Sequence, residues 1–74
     1  MTRMPVLRPK EVISILEKAG YRIDHITGSQ YIMRHPQTHN RITVPYHAKD
    51  IKKDVLYSII KQSGLSKQEF ISLR

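Results

Sequence analysis

The chain has 74 residues, no cysteine, and 13 lysines and arginines against six acidic residues, a formal charge of +7. A chain this short buries only about 60–65% of its unfolded surface, so a thin core is expected and a large enclosed active site is not. The missing cysteines exclude disulfide staples, thiolate metal sites and a cysteine nucleophile, and the positive field favours a polyanionic partner, nucleic acid ahead of an acidic protein or an anionic membrane.

With 39% hydrophobic and 26% charged residues the chain is expected to fold, as one domain over residues 1–74. Met1 to Leu7 has no periodicity and reads as a frayed or edge-packed lead-in. It contains no apolar run of signal-peptide length, and no later segment approaches the roughly 20 apolar residues of a membrane span. A soluble, unprocessed, cytoplasmic protein is the expectation.

Pro9 stands where the first turn of a helix accepts proline. From there Val12, Ile15, Leu16 and Ala19 fall on one helical face and Lys10, Ser14, Glu17 and Lys18 on the other, with Gly20 as the stop. Tyr21 to Ile26 alternates as a half-buried strand would, placing Tyr21, Ile23 and His25 on one side and Arg22, Asp24 and Ile26 on the other. Thr27-Gly28-Ser29 is a turn, Gln30 to His35 a second strand, Pro36 to Asn40 a second turn, and Arg41 to Val44 a third strand. Turns this short join antiparallel neighbours. Asp50 is then the expected N-cap of a second helix with the apolar stripe Ile51, Val55, Leu56, Ile59 and Ile60, closed by Gly64. Ser66-Lys67-Gln68-Glu69 has the form of a capping box, so a short last helix is expected over Phe70, Ile71 and Leu73. The fold class is α+β, ordered α-β-β-β-α with a C-terminal helical turn, two helices covering one face of a three-stranded antiparallel sheet.

His35, His39 and His47 surround the sheet, but no metal is assigned, because the fixed ligand spacings of metal sites are missing. Ser29 lacks the G-x-S-x-G context of a hydrolase nucleophile, and Gly28-Ser29 is explained as a turn. RNA cleavage asks for less: the 2′-hydroxyl is the nucleophile, and a protein supplies a base, an acid and cations for the phosphate. Histidine serves as either acid or base near neutral pH. Arg34, Arg41, Lys49, Lys52 and Lys53 are phosphate-binding candidates, and Lys53, Tyr57 and Lys61 recur at helical spacing as a basic row with one aromatic. Plain RNA binding fits the same residues, as does a solvated basic surface on a protein-only adaptor.

The segment Thr27-Gly28-Ser29-Gln30-Tyr31-Ile32-Met33-Arg34-His35-Pro36, then Thr43-Val44-Pro45-Tyr46-His47, Lys52-Lys53, and Ile59-Ile60-Lys61-Gln62-Ser63-Gly64-Leu65 resembles the HicA family of bacterial toxins, with the likeness running from Glu11 to Phe70. The resemblance implies a double-stranded-RNA-binding-like fold and a metal-independent, cofactor-free mRNA interferase of a type II toxin–antitoxin system. It also implies a hetero-oligomeric complex with a HicB-type antitoxin, which holds the toxin inactive. The family's catalytic histidine follows the Gly-Ser pair, and here that position is Gln30. Glutamine has no proton that titrates near neutral pH, so this chain is expected to be inactive or nearly so. An introduced substitution is favoured over a natural loss, since the rest of the pattern stands. His47 is the second candidate site residue, catalytic or holding the loop into the second helix, and Ser29, Arg34, Arg41, Lys49, Lys52, Lys53 and Lys61 are the expected RNA contacts.

Overall fold

In a computed structural model, residues 5–46 and 49–74 are described. The order is α1 (Pro9–Lys18), β1 (Arg22–Thr27), β2 (Gln30–Arg34), β3 (Arg41–Pro45), α2 (Lys53–Ser63) and α3 (Lys67–Ser72). The strands form one antiparallel sheet in the order β1-β2-β3. The α+β fold expected from the pattern is the fold observed. No helix among the described residues is long and apolar enough to cross a membrane.

Periodicity decides the core. On α1 the buried residues are Pro9, Val12, Ile13, Ile15 and Leu16, and on α2 they are Leu56, Ile59 and Ile60. Both helices set these stripes against the face of the sheet that carries Met33, Ile42 and Val44, all fully buried. Helix α1 ends in a Schellman arrangement: Gly20, at φ +101°, donates its N–H to the Glu17 carbonyl while Tyr21 donates to that of Leu16. A side chain at Gly20 would also meet the His35 ring, since its Cβ would lie 2.8 Å from Nε2.

Three expectations are corrected. Asp50 does not cap α2; the N-cap is Lys52 and the helix begins at Lys53. Ile51 lies before the helix, buried, and donates its N–H to the carbonyl of Leu7, which is itself fully buried. This tie holds the chain extended past Asp50 and delays the first helical turn, and it makes Leu7 part of the core, not of a frayed lead-in. The alternation of β1 is also interrupted. Ile23 faces Met33 but His25 faces Ile32, so Asp24 and His25 together oppose one residue, a β-bulge. Ile26 therefore joins Ile23 on the helix side and His25 moves to the other face. Both isoleucines stay exposed, at 42% and 54%, because the helices pack chiefly against β3 and β1 lies at the far edge.

Helix α3 follows the capping box read from the sequence. Ser66 Oγ accepts the Glu69 N–H at 3.1 Å and the Glu69 carboxylate accepts the Ser66 N–H at 3.0 Å. These bonds to Ser66 hold the Glu69 carboxyl below its ordinary 4.5. A lowered carboxyl stabilises the fold fully above 4.5, and that contribution is lost as pH falls through the folded value. Protection factors of the α3 amides, which correct exchange for its intrinsic rate, should therefore fall as pH drops below 4.5, and Glu69→Gln should remove that pH dependence while lowering protection at neutral pH.

Candidate functional site

The first hairpin fixes the end of the sheet at which Gln30 sits. Gly28 has φ +57° and Ser29 is not in the left-handed region, so the two-residue loop between the paired Thr27 and Gln30 has the signature of a type II′ turn, with glycine where the positive angle falls. The Ser29 carbonyl accepts the Tyr46 N–H at 2.7 Å, which ties this turn to the residue after β3. The Tyr31 and Tyr46 rings stack at 4.4 Å between centroids, 22° from parallel, and brace the same corner. Gln30 itself is exposed and pairs with Thr27 on one side and Pro45 on the other. Among the described residues no side chain hydrogen-bonds to its amide.

Register carries this order across the open face, the face opposite the helices. Thr27, Gln30 and Pro45 make the first row. The second is His25, Ile32 and Thr43, with Asp24 beside His25 in the bulge, and the third is Arg22, Arg34 and Arg41. Successive rows lie about 7 Å apart along the strands, so Gln30 and the arginines are about 13 Å apart. Like charges directly opposite one another in a sheet are destabilising. The only acidic side chain in these rows is Asp24, whose Oδ2 contacts His25 Nδ1 at 2.8 Å. That hydrogen bond, with the charges of His25, Arg34 and Arg41, holds the Asp24 carboxyl below its ordinary 3.8.

The histidines have separate settings. His35 Nδ1 accepts the N–H groups of Gln37 and Thr38, at 3.2 and 3.4 Å, and its ring meets Tyr21 edge-on at 5.1 Å, so it shapes the turn after β2. His39, the one non-glycine residue at positive φ among those described, sets Nδ1 3.2 Å from Arg34 Nη2. That turn is anchored to the helix layer by the Asn40 amide, which donates to the Tyr21 hydroxyl at 2.7 Å and to the Gln62 carbonyl. His47 lies outside the described residues. Among the described residues, no three histidine, aspartate or glutamate side chains converge as a metal site would require.

The sequence-predicted cations are therefore divided between layers. Arg34 and Arg41 are direct neighbours on the open face, and Arg22, which sequence reasoning missed, completes their row. Lys49 is exposed in the loop after β3, Lys52 and Lys53 open α2, and Lys61 lies in its last turn. Lys53, Tyr57 and Lys61 are all exposed along α2, and Tyr57 also takes Lys67 Nζ over its face at 4.7 Å. Ser29 stands in the turn beside Gln30.

The family described as the HicA toxin of bacterial toxin-antitoxin matches residues 9–65, more than half of the chain. No curated protein matches.

Proposed function

The chain belongs to the HicA toxin family of bacterial toxin–antitoxin systems, and on that premise we propose that it is the toxin scaffold of a metal-independent endoribonuclease, disabled at its general base by Gln30. The observation that carries this reading is the position of Gln30, exposed at one end of an open sheet face whose other end holds three arginines in register. A histidine at that position would take the proton of an RNA 2′-hydroxyl. The resulting alkoxide attacks the adjacent phosphorus, a 2′,3′-cyclic phosphate forms, and the 5′-oxygen leaves with a proton from an acid or water. Glutamine hydrogen-bonds to the same groups without accepting that proton. Ser29, Arg34, Arg41, Lys49 and Lys52 supply hydrogen bonds and positive charge to the RNA, and His47 follows the strand that ends beside Gln30.

The partner in this reading is a HicB-type antitoxin laid over the same surface. With a formal charge of +7 on 74 residues, an acidic antitoxin face is the complementary one. Expression of the Gln30→His chain should arrest bacterial growth, with relief on co-expression of the antitoxin, while the chain with Gln30 should not. Absence of arrest with Gln30→His would remove the toxin reading and leave the alternative, a non-catalytic RNA-binding domain.

A further inference from the structure

We propose that the open face of the sheet binds a single strand of RNA laid along β2, with the row Arg22–Arg34–Arg41 gripping the backbone about two nucleotides from the residue at Gln30. The inference rests on the ribonuclease reading and assigns the path of its RNA. Three features of the face carry it.

The first is charge placement. Three guanidinium side chains directly opposite one another across three strands repel, and Asp24 offsets only one of the charges. The row costs the fold stability and is suited to an anion that several guanidinium groups contact at once, as a phosphodiester is. Arg34 is held in place by His39, so the middle of the row is fixed before a ligand arrives.

The second feature is the row between. Ile32 is half-buried at the centre of the open face, flanked by His25 and Thr43. An apolar side chain with an imidazole beside it offers a platform for unstacked bases, which only a single strand can present. A duplex turns its bases inward and would leave Ile32 unused.

The third feature is length. The separation of about 13 Å between the Gln30 and arginine rows is spanned by about two nucleotides of an unstacked strand, whose backbone extends well beyond the roughly 3.4 Å rise of a stacked one. A strand must therefore be about three nucleotides long or more before both rows engage it. No described helix contributes to this face, which separates the path from the lysines of α2.

Fluorescence anisotropy with labelled RNA tests the path. The variant Arg22→Gln/Arg41→Gln removes the outer arginines and leaves the Arg34–His39 contact alone. Lys10→Gln/Lys18→Gln on α1 removes the same charge from the helix layer. A 12-nucleotide single strand should bind the arginine variant at least about tenfold more weakly than the parent at 0.1 M salt. The slope of log affinity against log salt should become shallower by about 1.4, two single-strand phosphate contacts. The α1 variant should change by far less, and a duplex of equal length should bind more weakly than the single strand. Equal losses from the two variants would overturn the path and leave RNA binding intact, since net charge alone would then account for affinity. So would an unchanged arginine variant, which would show that the row does not bind RNA. A parent chain that binds no RNA even at 20 mM salt would overturn both the path and the reading beneath it.

Discussion

Replacing Phe70 with alanine should cost this domain about 3–5 kcal/mol, the usual range for removing a fully buried aromatic ring. Phe70 is 0% exposed and belongs to the same core cluster as Val12, Leu16, Met33 and Leu56. It sits on a helix of six residues that begins after the family match ends at residue 65. A helix that short has little stability of its own, so its capping box and its packing must hold it in place. A domain of this size has about 4–11 kcal/mol of total stability. The loss should therefore lower the melting temperature by on the order of 20 °C, measurable by circular dichroism. Truncation before α3 should do the same. Arg74 also reaches Glu11 at 3.5 Å, but an exposed pair of this kind adds little, and Glu11→Gln should leave the melting temperature within a few degrees. A Phe70→Ala chain that melts like the parent would mean that α3 is dispensable to the core.

Gln30→His should raise RNA cleavage by about 10²–10⁴-fold, the usual contribution of a positioned general base. Gln30 is exposed on a paired strand end, so the substitution should leave stability within about 0.5 kcal/mol. Any gain in rate then belongs to chemistry and not to folding. A base must be unprotonated to act. The rate should accordingly rise with pH through the range where an unperturbed histidine titrates, near 6.5, and then level. Gln30→Asn, with no titratable proton, should stay as slow as the parent at every pH.

Most of the architecture was legible because local pattern and tertiary packing agree. The stripes of α1 and α2, the glycines that end them and the Ser66–Glu69 capping box all sit where their chemistry predicts. The start of α2 was misread because the preference of Asp50 for a helix cap is weaker than the tie between Ile51 and Leu7, a contact between residues 44 positions apart that no local rule detects. The bulge had a larger consequence for the site. A regular hairpin closing at Thr27 and Gln30 would set Arg22 opposite His35, whereas the extra residue sets it opposite Arg34. The third arginine of the row was thus hidden in a one-residue irregularity. Its signal was present in β1, where charged Asp24 and His25 stand adjacent between two isoleucines, a break in strict alternation that a bulge resolves.

The cations show the opposite lesson. Lys53 and Lys61 share a helical spacing with Tyr57, and the helix forms, but spacing alone does not say which layer of the domain an anion would meet. Arg34 and Arg41 are seven positions apart and become direct neighbours only through the β2–β3 register. The position of Gln30 beside the Gly28 turn was readable from sequence because the turn is local.

The proposed role of Gln30 is to stand in the place of the general base of a ribonuclease needing no metal. It is tested most directly by incubating this chain and its Gln30→His variant, at equal concentration, with end-labelled single-stranded RNA in EDTA and resolving the products on a gel. The expected result is cleavage by Gln30→His, with 2′,3′-cyclic phosphate ends, and none above background by the chain with Gln30. Intact RNA in both reactions, or equal cleavage in both, would contradict it.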